Sequence, residues 1–227
     1  MSRRTWPVAA RYVMPPLLAG GIVTAAAGRL APGTARRAAR GAGIGLLAGA
    51  VGLAAFFRDP DRAVGGDPRV AHAASDGVVT AVDDDVAEPW LPGGRGRRVA
   101  VFLSLADVHV TRSPVPGTVR RLAEHEGGLA PALLPRAEHN RRTRLLLEGP
   151  AGPVVVTQMA GALARRISSW VRPGEELEGG QRLGLIHFGS RTDVVVPPRA
   201  TVLVSRGQRV RGGVTPLARL EAGERGA

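Results

Sequence analysis

The sequence predicts a mainly β (α+β) protein, in which a β-rich, sandwich-like or barrel-like domain follows an N-terminal α-helical hairpin. Two uncharged stretches, residues 12–28 and 41–57, lie near the N-terminus and predict the helices. After Gly66 the chain changes to short alternating apolar runs separated by turn residues, which is typical of β strands. We therefore divide the chain into a hairpin (1–62), a β domain (63–210) and a loose C-terminal tail (211–227).

The hairpin is predicted to associate with a membrane. Each uncharged stretch is slightly shorter than the about 20 apolar residues that cross a bilayer, so spanning and embedding both stay open. The second stretch reads GAGIGLLAGAVGLAAFF and places Gly41, Gly45, Gly49 and Ala50 at the spacing used for close packing between membrane helices. A signal peptide is the alternative for the first stretch, and a buried helix of a soluble domain is the alternative for the second.

The β domain is predicted from eight strand-length runs. Near its end a Gly-Ser pair, Gly189 and Ser190, interrupts two apolar runs that resemble a core hairpin. One further run, MAGALARRISSWV, has Leu163, Ile167 and Trp170 at helical spacing, which predicts a short helix or a helix joined to a strand. The eight runs are DGVVTAV, RRVAVFLSL, GTVRRL, RTRLLLEG, GPVVVTQMAG, QRLGLIHFG, TDVVVP and ATVLVSRGQRV.

Composition restricts the chemistry. The net charge is +12 and every basic residue is arginine, which indicates nucleic acid or anionic lipid as a partner, or simply a solvated basic surface. Without cysteine the chain has no disulfide, thiolate zinc site or cysteine nucleophile. Without lysine it cannot form an internal aldimine with pyridoxal phosphate or carry biotin or lipoate. Amine chemistry would therefore need another carbonyl.

Three segments place reactive side chains beside turn residues. A serine, a histidine and a carboxylate could act together as nucleophile, base and orienting group. The G-x-S-x-G pattern of ordinary serine hydrolases is missing. His72, His125 and His139 have no partners at metal-ligand spacing, so we predict no metal site. The three segments are ASDGVV with Asp76, LADVHVTRSPVPG with Asp107 and His109, and HFGSRTD with His187, Ser190 and Asp193.

Five blocks in a fixed order resemble phosphatidylserine decarboxylase proenzymes, in particular their short bacterial and archaeal subfamily. Together they cover most of residues 56–197. The blocks are FFRDP, ASDGVVTAV, VFLSLADVHVTRSPVPGTV, EHNRRTRLLL and MAGALARRISSWVRPGEELEGGQRLGLIHFGSRTDVVVP.

The resemblance implies that the chain cleaves itself between Gly189 and Ser190, giving a large chain (1–189) and a small chain (190–227). Ser190 would become a covalent pyruvoyl group, so that pyruvate is the cofactor. The mature enzyme would decarboxylate phosphatidylserine to phosphatidylethanolamine and CO2. A glycine before the serine suits the cleavage, because it admits a distorted peptide without a Cβ clash.

The resemblance also suggests residue roles. His109 matches a family histidine near the pyruvoyl group. Asp76 matches the orienting carboxylate, with His109 as its expected partner and His187 as the alternative. Longer relatives carry a second histidine where this chain has Arg112, so the base that activates Ser190 stays open between His109 and His187. Arg165 and Arg166 could bind the lipid phosphate, or form a solvated face. Asn140 is expected to be a structural polar group.

The implied partners are a phospholipid substrate, the cell membrane at its cytoplasmic face, and the two processed chains held together. The number of protomers stays open, a homodimer included. The same chemistry on archaetidylserine is one alternative, and a non-catalytic membrane-anchored barrel-sandwich adaptor is another. Nucleic-acid binding is not expected, because no recognised binding motif accompanies the charge.

Overall fold

The chain divides into two compact units, residues 1–60 and 61–227, in a computed structural model that describes residues 2–64, 66–131, 134–162, 166–188 and 190–221. The described part of the first unit is helical, and that of the second is built mainly of β strands. The mainly β fold class with an N-terminal helical hairpin is confirmed.

The first unit holds two long helices, α1 (Trp6–Ala27) and α2 (Thr34–Phe56). At 1.5 Å per residue each extends over 30 Å, about the thickness of the hydrocarbon core. By length and composition both could cross a membrane, and only 17% of each apolar window is buried within the protein. An apolar surface that is mostly uncovered favours contact with lipid over a role as a soluble core helix.

The two helices approach each other at Gly20 and Gly43. A Cβ atom on Gly43 would lie 2.2 Å from Thr24 Oγ1 and 3.1 Å from the carbonyl oxygen of Gly20. The glycines predicted from the sequence to pack the helices, Gly41, Gly45 and Gly49, have nothing within 4 Å of such an atom. Ala50, the fourth residue of that prediction, is buried. The prediction was wrong for the three glycines, because it considered spacing within α2 and not the small residues of α1.

The second unit contains fourteen short strands among its described residues. They are β1 (Val70–His72), β2 (Gly77–Ala87), β3 (Arg95–Leu103), β4 (Val110–Arg112), β5 (Gly117–His125), β6 (Arg142–Gly149), β7 (Gly152–Met159), β8 (Ile167–Ser169), β9 (Glu176–Leu177), β10 (Arg182–Ile186), β11 (Ser190–Val196), β12 (Thr201–Val202), β13 (Arg209–Val210) and β14 (Pro216–Arg219). Two short 3-10 helices, Pro92–Gly94 and Pro135–His139, lie between strands.

The strands form one large sheet and two small ones. The large sheet has the order β13-β2-β3-β11-β7-β6-β5-β9, and the small sheets have the orders β1-β14-β12 and β4-β10-β8. All the neighbouring strands in these orders pair antiparallel.

The core lies on one face of the large sheet, which we call its inner face. Leu145, Val156 and Val194 stand side by side there on adjacent strands and are almost fully buried. Leu183 and Leu217, from the two small sheets, belong to the same apolar cluster. The small sheets therefore pack on the inner face as the second layer of a sandwich.

Residues 167–169 form strand β8, which pairs with β10. This agrees with the predicted helix joined to a strand and not with a single short helix; residues 163–165 of the same run lie outside the described part. The prediction of a loose C-terminal tail was wrong for the described residues. Residues 211–221 are not a loose tail, since β14 pairs with both β1 and β12 and buries Leu217 and Ala218.

Candidate active site

The Gly-Ser pair lies where the chain passes from one sheet to another. Strand β10 ends at Ile186 and pairs with β4 and β8, whereas β11 begins at Ser190 and pairs with β3 and β7. The two apolar runs are therefore not partners in a hairpin, as their sequence had indicated. Gly189 and the side chain of Ser190 lie outside the described part of the structure.

Phe188, the residue before Gly189, has a φ of +64°. This left-handed conformation is rare for a bulky side chain, because its Cβ crowds the following carbonyl. Among the described non-glycine residues Phe188 alone has a positive φ. The backbone is therefore strained one residue before the Gly189–Ser190 bond, and strain of this kind concentrates at functional sites.

The loop from Ser104 to His109 begins and ends beside this connection. Leu103, the last residue of β3, pairs with Ser190. The carbonyl oxygen of His109 accepts a hydrogen bond from the N–H of Ile186, with N and O 3.2 Å apart. The loop thus contacts the connection on both sides, through the first residue of β11 and the last residue of β10.

His109 is completely buried at the end of this loop. Its Nδ1 lies 2.9 Å from the carbonyl oxygen of Asp107, and only a protonated nitrogen can donate to a carbonyl. In the neutral ring this leaves the lone pair on Nε2. The fold therefore holds His109 in the tautomer that can accept a proton through Nε2.

Asp107 fixes the loop that carries His109. Its carboxylate accepts hydrogen bonds from the N–H and hydroxyl of Ser104, at 2.9 and 2.6 Å, and from Arg209 Nη1 at 2.8 Å. Burial alone would raise the pKa of Asp107, but the hydrogen bonds from Ser104 and Arg209 outweigh it and lower that pKa below its ordinary value. Asp107 was predicted only as one of several reactive side chains, although the Ser-x-x-Asp spacing was a signal for a side-chain-stabilised turn.

Asp76 is not joined to His109 by a hydrogen bond in the described structure. Its two carboxylate oxygens pair with the guanidinium of Arg62, and Oδ1 also accepts the N–H of Gly212 at 2.8 Å. The side chain of Arg62 is only 5% exposed, so this is a buried pair. The expected partnership of Asp76 with His109 is thus not the one observed.

The other predicted residues lie at the edge of this region or outside it. His187 Nε2 is 2.9 Å from Ser168 Oγ. The backbone N–H of His187 donates to the carbonyl oxygen of Arg166, whose side chain is exposed. Arg112 is buried and donates to the carbonyl oxygen of Gly180 at 3.1 Å. Arg165 lies outside the described residues.

Asn140 and Asp193 have contacts that explain their burial. Asn140 bonds to the backbone of Ala130 and Ala160, which confirms a structural role. Asp193 pairs with Arg191 through two 2.7 Å hydrogen bonds. Strand alternation places Asp193 on the outer face of the large sheet, opposite to Val194 and the core.

Two polar residues near the connection were missed from the sequence. Gln158 and Thr192 lie opposite each other on β7 and β11, inside an otherwise apolar layer. Their signal was a polar residue at the inward-facing position of a strand. Across the described ranges, no group of three His, Asp or Glu side chains could hold a metal ion.

Comparison with known proteins identifies the family of this chain. A family model described as "Phosphatidylserine decarboxylase" matches residues 52–218, most of the chain and nearly all of the β unit. The chain belongs to the phosphatidylserine decarboxylase family.

Relatives in this family extend over most of the chain. The phosphatidylserine decarboxylase proenzyme of Thermobifida fusca is 40% identical over 96% of this chain and 95% of its own length. That of Gluconobacter oxydans is 41% identical over 92% of this chain and 93% of its own. A "Putative archaetidylserine decarboxylase proenzyme" of Methanosarcina barkeri is 36% identical over 73% of this chain and 76% of its own.

Membership of the decarboxylase family directs attention to the Gly189–Ser190 connection as a candidate processing site. The word proenzyme in the relatives' names denotes a precursor that is processed. In this member the connection joins two sheets, follows a strained residue and lies beside a buried histidine. These are physical conditions under which one peptide bond can differ in reactivity from its neighbours.

Proposed function

We propose that this chain is a membrane-associated proenzyme that cleaves itself between Gly189 and Ser190 and then decarboxylates phosphatidylserine to phosphatidylethanolamine and CO2. The observation that carries the proposal is the family match over residues 52–218, with Gly189 and Ser190 at the strained connection between two sheets.

Cleavage begins with attack of the Ser190 hydroxyl on the carbonyl carbon of Gly189. The new C–O bond replaces the C–N bond of the peptide, and the resulting ester joins the two parts of the chain. Loss of the Cα proton of residue 190 then breaks the Cβ–O bond and releases Gly189 as a carboxylate. The remaining dehydroalanine takes up water and releases ammonia, which leaves the pyruvoyl group at the start of the small chain.

We assign His109 as the base that activates the Ser190 hydroxyl in the first step of cleavage. Its burial excludes water, and the hydrogen bond to the Asp107 carbonyl leaves Nε2 able to accept a proton. His187 is the alternative, and its Nε2 lies 2.9 Å from Ser168 Oγ. Asp76 and Arg62 act in this proposal as a buried pair that holds the Gly212 region, since both also bond to the backbone of Gly212.

The residues present fit a pyruvoyl group at position 190. The chain has no lysine that could bind pyridoxal phosphate, the other common cofactor with a carbonyl group. Two buried polar atoms, Gln158 Oε1 and Thr192 Oγ1, have no hydrogen-bond partner in the described structure. A pyruvoyl group supplies a ketone that can condense with an amine and accept electrons when CO2 leaves. The protein contributes the buried site and the proton acceptor His109.

The two chains stay together after cleavage in this proposal. Strand β11 would open the small chain, and it lies between β3 and β7 of the large chain. Strand β14 is likewise paired with β1. Two sheets therefore hold the small chain in place.

The hairpin of α1 and α2 is proposed to anchor the enzyme at the cell membrane, on the cytoplasmic face, where its lipid substrate lies. Its uncovered apolar surface supports this role. Arg166, exposed beside the connection, is a proposed contact for the lipid phosphate together with Arg165.

Archaetidylserine is the second candidate substrate. Two relatives, at 36% and 38% identity, have names that give archaetidylserine decarboxylation. Both lipids present the same serine headgroup, so position 190 would perform the same reaction on either.

The test is a decarboxylation assay with the full chain in vesicles that contain one lipid or the other. We expect release of CO2 and formation of the ethanolamine lipid, with faster turnover of phosphatidylserine. Ser190→Ala should be inactive and His109→Ala strongly impaired, whereas His139→Ala, at an exposed position, should match the wild type. A processed wild-type protein that converts neither lipid would contradict the proposed activity.

A further inference from the structure

Three polar side chains cross the inner face of the large sheet in a row. Thr143, Gln158 and Thr192 stand directly opposite one another on β6, β7 and β11. Their exposed fractions are 3%, 0% and 1%. The next row into the core consists of Leu145, Val156 and Val194, so the polar row borders an apolar interior.

Two atoms of this row have no hydrogen-bond partner in the described structure. Gln158 Nε2 donates to Thr111 Oγ1 at 2.9 Å, but Gln158 Oε1 and Thr192 Oγ1 are buried and unpaired. Buried polar groups are nearly always paired, because leaving one unpaired costs stability. Two unpaired groups at directly opposite positions therefore indicate a shared ligand.

Residues from both layers of the sandwich surround these atoms, and we refer to Thr111, Gln158, Gly184 and Thr192 together as the pocket. Thr111 belongs to β4 in a small sheet, so the Gln158 side chain extends from one layer to the other. It passes beside Gly184, where a Cβ atom would lie 3.2 Å from Gln158 Nε2 and 2.3 Å from the carbonyl oxygen of Ser168. Glycine at position 184 leaves the space that the amide occupies.

The pocket lies next to position 190. Thr192 follows Ser190 by two residues on β11, and the two-residue repeat of a strand places both positions on the same face, about 7 Å apart. Thr111 follows His109 by two residues. The segment with Ser190 therefore also contains Thr192, and the segment with His109 also contains Thr111.

We propose that Gln158 and Thr192 bind the amino group of the serine headgroup as it reaches position 190. This inference rests on the proposed function. An amine N–H needs a hydrogen-bond acceptor, and Gln158 Oε1 is one whose direction is fixed, because Thr111 holds the other end of the amide. The hydroxyl of Thr192 provides a second acceptor.

The acceptors are uncharged, and this suits the reaction. A carboxylate at the same place would stabilise the ammonium form, which has no lone pair for attack on a carbonyl. A neutral amide and a hydroxyl orient the amine without that penalty. They also avoid burial of an unpaired charge before substrate arrives.

The experiment compares Thr192→Val and Gln158→Met with the wild type. Valine keeps the shape of threonine and methionine approximates the length of glutamine, so both variants remove polar atoms and leave packing nearly intact. Thr157→Val is the matched control, because Thr157 neighbours Gln158 on β7 but faces the outer cleft lined by Asp193 and Arg98.

Processing is measured first, by the intact masses of the two chains. Amine capture is then measured by treating processed protein with short-chain phosphatidylethanolamine and cyanoborohydride and weighing the small chain. We expect normal cleavage in both variants, with the rate of amine capture and kcat/KM for phosphatidylserine lowered about tenfold or more. Thr157→Val should match the wild type, and the Tm of Thr192→Val should be equal to or above the wild-type value, since an unpaired hydroxyl is removed.

Three results would overturn the inference. Unchanged amine capture in both variants would show that the pocket does not bind the amine. Loss of self-cleavage in both would place the pair in the cleavage step instead. A lowered Tm with normal capture would make the row a purely structural, water-bridged feature. A wild-type chain that neither cleaves nor captures amine would instead contradict the proposed function itself.

Discussion

At the scale of single residues, the behaviour of His109 depends on its neighbours in the loop more than on the ring itself. The Asp107 carbonyl selects its tautomer, and the Asp107 carboxylate holds the turn through Ser104 and Arg209. Sequence reasoning could select His109 and Ser190, because both stand in recognisable motifs. It could not find the Asp76–Arg62 pair, since that depends on a contact between the start of the β unit and the strand β2 turn.

The lowered pKa of Asp107 predicts how stability depends on pH. A carboxylate whose folded pKa lies below its ordinary value near 3.8 stabilises the fold above that value, and the contribution is lost as the pH falls through the folded pKa. We expect Asp107→Asn to lower Tm by about 2–4 °C between pH 6 and 8. The difference from wild type should begin to shrink as the pH falls below about 4, where the unfolded chain takes up the proton first, and should be lost below the folded pKa of Asp107.

Thermal unfolding of both proteins from pH 3 to pH 8 measures this. Glu124→Gln is the control, because that carboxylate is exposed and lies on β5, away from the loop. A Tm difference between wild type and Asp107→Asn that stays constant down to pH 3 would mean that the Asp107 carboxylate does not hold the loop through its charge.

At the scale of elements, helix and strand positions followed from local pattern, but their partners did not. Alternating apolar residues predicted β6, which buries one face, and a continuous apolar run predicted β7, which is buried on both faces. The connection from β10 to β11 was interpreted as a hairpin, since chain proximity is the only guide that a sequence offers to pairing. Strand β14 was missed because its four residues carry too short a pattern to distinguish from a tail.

The close approach of α1 and α2 at Gly43 is testable at this scale. Gly43→Val would place side-chain atoms against Thr24 and the backbone of Gly20, so the helices must separate. Gly45→Val lies two residues away in the same helix, with nothing within 4 Å of its Cβ position, and serves as the control. We expect only Gly43→Val to lower the melting temperature of the helical circular-dichroism signal of the full chain in detergent, by several degrees. Equal melting of the two variants would contradict the packing.

At the scale of the whole molecule, the composition suits a protein that works on an anionic lipid surface. The net charge of +12 is carried entirely by arginine, and two helices with uncovered apolar surfaces precede the β unit. The fold class was predictable because two long uncharged stretches are followed by short apolar runs separated by turn residues. A sandwich-like or barrel-like domain was predicted as a class, but the strands that form each layer were not, because their assignment depends on which faces of fourteen short strands meet.

The sheet topology explains how the two processed chains can stay associated after cleavage. The proposed small chain begins at an internal strand of the large sheet and continues into a small sheet, so each layer of the sandwich contains strands from both chains. Cleavage at position 189 would remove one covalent link and leave the hydrogen-bonded ladders in place.

The most direct measurement is the intact mass of the purified full-length protein, compared with that of Ser190→Ala. We predict two fragments in the wild type, residues 1–189 and 190–227, with the smaller one blocked by a pyruvoyl group at its N-terminus. Ser190→Ala should remain a single chain, because no hydroxyl is left to attack Gly189. A wild-type protein that stays intact after incubation with phospholipid vesicles, or a Ser190→Ala variant that is cut at the same bond, would contradict self-cleavage at Gly189–Ser190.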